Sequence, residues 1–190
     1  MLGELTLEDI WTGPEALSAW RAWGLSGSRD GSEVLLLPVA GAQKPWPIAE
    51  PARATCRRHH RRVPDLECRC GLHAMRVANA LRRTRDPAVI GTVALWGRIV
   101  EHEHGFRAEW AYPQRLSLIC RLCFWQWGVT RSNPPDVVVR HRGGAMVPLC
   151  GEHLELARRY DYPTPLVFEA PAVERALLDV YAVDLLRVAA

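Results

Sequence analysis

The chain has 190 residues, 48% of them hydrophobic and 24% charged, with eight tryptophans, a balance that suits one folded domain or one domain with a small appendage. Disorder as the main state, collagen, coiled coils and repeat arrays are excluded. The formal net charge is only +3, but residues 53–85 hold ten arginines against Asp65 and Glu67, a local +8 that leaves −5 for the rest.

Lys44 is the one lysine, so nearly all positive charge is guanidinium, which binds phosphates and carboxylates in two-pronged fashion and stacks on aromatic rings. A GC-rich genome also favours arginine over lysine, but that accounts for the residue type and not for the clustering. No cationic segment leading into an apolar one follows Met1, and no apolar run nears the roughly 18 residues of a membrane span. The expectation is a cytoplasmic protein with no membrane segment, in which grouped cysteines mean metal or redox chemistry rather than disulfides.

In chain order, Thr6 to Trp23 reads as a helix started at Pro14, although Trp20-Arg21-Ala22-Trp23 alternates as a strand would. Glu33 to Val39 is a buried strand, and Pro45, Pro47 and Pro51 keep the chain extended up to Cys56. Leu72 to Arg83 carries apolar residues at helical spacing and is expected to be the first firm helix. Val89 to Val100 and Phe106 to Tyr112 form a hairpin turning near His104-Gly105, with Phe106, Ala108, Trp110 and Tyr112 on one face and Arg107 and Glu109 on the other. Leu116 to Ile119 is a further strand, Val137 to Arg140 and Met146 to Leu149 a second hairpin, and helices start at Cys150 and Ala172. The expected fold is α+β: a small bent antiparallel sheet or partial barrel with two structural zinc modules and a C-terminal helix. Its two packed parts are residues 1–119, β-rich with a zinc-pinned Arg-rich loop, and residues 120–190.

Cys120-x2-Cys123 and Cys150-x2-His153, separated by the second hairpin, have the order of a treble-clef zinc finger. In that arrangement a knuckle gives two thiolates and the first turn of a helix gives the other pair. Four ligands close the shell, so this metal would be structural. A redox Cys-x-x-Cys would leave Cys150 and His153 without a role.

The other cluster is Cys56, His59, His60, Cys68, Cys70 and His73, from which Cys56, His60, Cys68 and Cys70 make the expected second shell. His59 is the alternate and His73 the outsider. Two Zn2+ per chain follow.

The stretch from Cys56 to Ala74 with its Pro64 and Cys68-x-Cys70-Gly71-Leu72-x-Ala74, together with Gly91-x-Val93-x-Leu95-Trp96-Gly97 and Gly105 to Pro113, resembles an uncharacterised family common in actinobacteria. Trp20 to Trp23 and Trp46 also fit that pattern, which covers roughly residues 18–123. The resemblance implies a shared module and names no activity.

Arg57, Arg58, Arg61, Arg62, Arg82 and Arg83 are the candidate phosphate contacts, with base recognition by a Trp-rich sheet. Trp96, Arg107, Glu109 and Tyr112 could line a pocket; the competing reading is a buried Arg107-Glu109 network that locks the hairpin. Glu101 to His104 lacks helical metal-ligand spacing and reads as a solvated hairpin tip. His141, Gly143-Gly144 and Cys150-x2-His153 resemble metal-dependent nucleases of the His-Asn-His type, yet Arg140 stands where an acid would activate water. The expected function is non-catalytic nucleic-acid binding, with a protein-interaction adaptor as the alternative and a nuclease-like enzyme as the lesser one.

Overall fold

The computed structural model describes residues 10–11, 15–40, 44–59, 61–129, 132–160 and 166–187. In chain order these form β1 (Ile10–Trp11), β2 (Leu17–Gly27), β3 (Val34–Pro38), β4 (Ala52–Arg53), β5 (Leu72–Met75), a 3-10 helix (Ala78–Arg83), β6 (Val89–His102) and β7 (Gly105–Leu118). They continue with α1 (Arg121–Trp127), β8 (Val137–Arg140), β9 (Ala145–Leu149), α2 (Gly151–Arg159), β10 (Leu166–Glu169), α3 (Ala170–Tyr181) and β11 (Asp184–Leu185). All eleven strands belong to one sheet, larger than the small sheet expected, and every pairing is antiparallel except that of β11 with β7. No helix among the described residues is long and apolar enough to cross a membrane.

The β6–β7 hairpin forms as the alternation predicts, with Glu103 and His104 as its turn and His102 paired with Gly105. β2 pairs with β6, β6 with β7, β7 with β5, and β5 back to β2 through Trp20 and Met75, so the sheet closes on itself. Farther along, β2 is flanked by Pro38 and Val89 at Trp23, then by Leu36 and Met146 at Leu25. One strand thus joins the hairpin of the first half to that of the second.

This central position explains two departures from the sequence reading. Leu17–Gly27 is a strand and not the end of a helix, because both its edges are hydrogen-bonded by distant strands, and such pairing overrides local propensity. Pro14, the expected helix start, lies outside the described residues. Leu72–Met75 is likewise drawn onto the Gly105–Ala108 edge of β7, which leaves only Ala78–Arg83 helical, as a 3-10 turn. Leu116–Leu118 is the end of β7 rather than a separate strand.

The expected single face of β7 also breaks. Opposite Glu109, β6 carries two residues, Gly97 and Arg98, and across this bulge the core-facing set on β7 passes from Phe106 and Ala108 to Ala111; a second irregularity, with Gln114 extra opposite Thr92 and Val93, passes it on to Leu116 and Leu118. Trp110 and Tyr112 are left half-exposed. Gly97 has φ +73, and a Cβ there would lie 2.8 Å from Trp110 Cδ1, so glycine suits both the conformation and the space.

The main core lies inside the closed circuit and reaches α3, whose Val173, Leu177 and Tyr181 recur at helical spacing and are buried. Trp23 packs edge-on against Trp46 at 5.5 Å between centroids, and the Arg21 guanidinium lies 4.8 Å from the Trp46 ring while donating to the His73 carbonyl. The Tyr181 hydroxyl accepts from the Leu36 amide and donates to the Trp46 carbonyl, each at 3.1 Å. Tyr181→Phe keeps the ring and strands both backbone groups in the core. We expect it to cost about 2 kcal/mol in urea unfolding, with little change in the denaturant slope.

Candidate metal centres and the arginine surface

Cys120 and Cys150 occupy the residue before the first turn of α1 and of α2, and Cys123 and His153 follow three positions later in each. Residues i and i+3 share a helix face, so each helix start offers two ligands in one direction. The first pair therefore sits at a helix start rather than on the expected knuckle. The β8–β9 hairpin places the second helix start against the first.

All four side chains are buried, and their ligand atoms lie within 4.8 Å of one another. Cys123 Sγ is 3.7 Å from Cys150 Sγ, and His153 Nδ1 is 3.4, 3.3 and 3.2 Å from the sulfurs of Cys120, Cys123 and Cys150. Zn–S bonds of about 2.3 Å and Zn–N bonds of about 2.05 Å give tetrahedral edges of about 3.75 and 3.55 Å, close to these values. A disulfide would bring two sulfurs to about 2.05 Å.

Burial pushes the Cys123 thiol up to about 12 and raises Cys120 as well, with neighbouring cysteines adding to both. Backbone amides of Cys123 and Cys150 face the Cys120 sulfur, and that of Asn133 faces Cys123. As thiolates, sulfurs gathered this closely would need a cation among them, and a dication would supply the charge that burial denies. The Asp136 carboxylate accepts from the Gly151 amide at 2.6 Å and holds the start of α2 from outside the shell.

The second cluster brings together Cys56, Cys68 and Cys70, with Cys56 and Cys68 sulfurs 3.7 Å apart. The Arg58 amide donates to Cys56 Sγ and the Asp65 amide to Cys70 Sγ, both at 3.4 Å. His60, the expected fourth ligand, lies outside the described residues. Neither His59 nor His73 joins the group; the His73 ring instead pairs with the Arg69 carbonyl at 2.9 Å.

Two arginines from the sheet hold this loop. Arg107, 6% exposed, donates through one nitrogen to the carbonyls of Asp65, Cys68 and Cys70. Arg98, at the bulge beside Gly97, donates to the Pro64 carbonyl at 2.8 Å. Gly71, at φ +124, lets the chain pass where a Cβ would lie 3.0 Å from Arg107 Cβ and 3.1 Å from Pro64 Cβ.

The four expected pocket residues have separate engagements. Arg107 serves the cysteine loop, Glu109 pairs with Arg53 at 3.3 Å, Tyr112 donates to the Tyr181 carbonyl at 2.7 Å, and Trp96 lies opposite Trp110. Arg57, Arg58, Arg61, Arg62, Arg82 and Arg83 are all exposed. Arg82 also caps the end of α1 by donating to the carbonyls of Trp125 and Gln126.

Sequence reasoning did not find Arg98 or Asp136 as supports of the two clusters. The available signal for Arg98 was the glycine before it, which marks a break in an otherwise regular strand. No family model, curated protein or solved structure matches the chain.

Arg107→Met keeps the apolar stem and removes the donor to three carbonyls. It should speed alkylation of Cys56, Cys68 and Cys70 by about tenfold while sparing Cys120, Cys123 and Cys150. Peptide mass spectrometry after a timed iodoacetamide pulse distinguishes the two trios.

Proposed function

We propose that the protein is a non-catalytic, cytoplasmic two-zinc protein that binds the phosphate backbone of nucleic acid through its arginine surface. One shell is Cys120, Cys123, Cys150 and His153, a variant treble clef with a helix start in place of the knuckle. The other is Cys56, Cys68 and Cys70 completed by His60. The module it shares with the actinobacterial family it resembles would be the part that carries the Cys56 shell.

The observation behind the nucleic-acid reading is the placement of Arg57, Arg58, Arg61 and Arg62. All four are exposed, and all belong to a loop whose ends are gathered by the cysteine group and whose carbonyls are held by Arg98 and Arg107. A pinned loop presents its guanidinium groups with less conformational entropy left to lose on binding. Arg82 and Arg83 extend the positive surface.

Structural zinc contributes an apparent ~10–16 kcal/mol, as much as the ~5–15 kcal/mol stability of a whole domain. Elemental analysis should find two zinc ions per chain, falling to one in Cys123→Ser, and chelation should abolish cooperative unfolding of the module concerned. One ion or none in the unaltered protein would end the two-site model.

Binding to random-sequence DNA and RNA should weaken steeply with salt, by about 0.9 log units per log unit of salt for each duplex phosphate neutralised. Replacing Arg57, Arg58, Arg61 and Arg62 together by Gln should lower that slope for the duplex by about 3.6. If neither nucleic acid binds at low salt, the reading falls, and a co-purifying partner chain would support the adaptor instead.

A further inference from the structure

Base recognition was expected from a Trp-rich sheet, but Trp23 and Trp46 are buried and Trp20, Trp96 and Trp110 are half-buried. Among the described side chains, the exposed indoles lie elsewhere. Trp125 is 41% and Trp127 56% exposed, both near the end of α1. The start of that helix is committed to the metal shell through Cys120 and Cys123, and its inward face to the core through Phe124. Neither role requires two large aromatic rings to face water.

The surroundings are cationic. Arg82 is bonded to the carbonyls of Trp125 and Gln126 at 3.3 and 3.2 Å, which ties the 3-10 helix to the end of α1. The Arg121 guanidinium lies 4.8 Å from the centroid of the Trp125 ring, and the acid beside it, Asp86, is paired with it. Arg83 and Arg85 are exposed and continue from Arg82. Exposed indoles set among guanidinium groups match a polyanion whose flat bases are open to stacking. Bases offer their faces only when unstacked, so the match is to single strands rather than to a duplex.

We propose that the end of α1 and the adjoining 3-10 helix form a platform for single-stranded nucleic acid, with bases stacked on Trp125 and Trp127 and phosphates held by Arg82, Arg83 and Arg85. This rests on the nucleic-acid reading above and narrows it. The zinc shell at Cys120 and Cys123 fixes the direction of α1 and thereby of both indoles.

The test uses the full zinc-loaded chain with a fluorescein-labelled oligo-deoxythymidine and a duplex of equal length, read by anisotropy at two salt concentrations. The single strand should bind more tightly than the duplex and should quench the tryptophan emission. W125A/W127A should weaken single-strand binding by roughly tenfold per indole, leaving duplex binding and the salt slope unchanged. W125F/W127F should recover most of the loss. Equal binding of the two probes, or unchanged single-strand affinity in the alanine pair, overturns the platform while leaving backbone binding through the arginines intact. Failure of both probes at low salt removes the platform together with the reading beneath it. If the alanine pair folds poorly, the unaltered protein still decides the matter: quenching by the bound single strand supports the platform, and binding without quenching overturns it.

Discussion

The described residues between Cys56 and Cys70 form no helix or strand, so the polar groups of their backbone must be satisfied by something outside regular structure. The Arg107 guanidinium does this for Asp65, Cys68 and Cys70, and Arg98 does it for Pro64. Both arginines come from the long hairpin, one strand each. The loop therefore takes its shape from the sheet before any metal is considered, and the three sulfurs converge as a result. Arginine suits the task because one planar group with several donors can serve several carbonyls, which a lysine ammonium would do with less geometric definition.

The bulge is part of the same device. Two residues of β6, Gly97 and Arg98, stand there opposite Glu109 alone, and from this point Arg98 reaches the Pro64 carbonyl. Gly97 accommodates the bulge, and Gly71 accommodates the close passage of the loop over Arg107. The pieces of the sequence pattern that look unrelated in the chain, Cys-x-Cys-Gly, Leu-Trp-Gly and Gly-Phe-Arg-Ala-Glu, meet at one junction between loop and hairpin. That convergence is a physical reason for the pattern, and it concerns architecture rather than activity.

The sequence was most readable where the signal was local. The long hairpin, the second hairpin, the helices at Cys150 and Ala172 and the four-residue cluster at 120–153 all follow from alternation, helical spacing and ligand order within short windows. It misled at Leu17–Trp23 and Leu72–Arg83, where hydrogen bonds from strands far along the chain outweigh apolar spacing that also suits a helix. The face of β7 was misassigned because a bulge shifts the alternation at a place that only the pairing reveals. The clustered cysteines and His153 were visible as residue types, whereas the supports of the two clusters, Arg98 and Asp136, acquire meaning only through backbone groups that the fold brings to them.

Charge separates the arginines that serve the architecture from those that do not. Three thiolates, a neutral imidazole and a dication would leave a shell with a net charge of about −1, which a single neighbouring guanidinium can offset. Arg107 already lies against the cluster of Cys56, Cys68 and Cys70, buried and bonded to its loop. Arg57, Arg58, Arg61 and Arg62 exceed what that shell needs, and they stand in water on a segment with Asp65 and Glu67 as its acids. Like charges crowded on a constrained loop repel one another and raise the free energy of the unliganded protein, a cost that an external polyanion would relieve by bringing phosphates among them. The excess over local neutrality, rather than the abundance of arginine itself, is what supports the proposal of a phosphate-bearing partner.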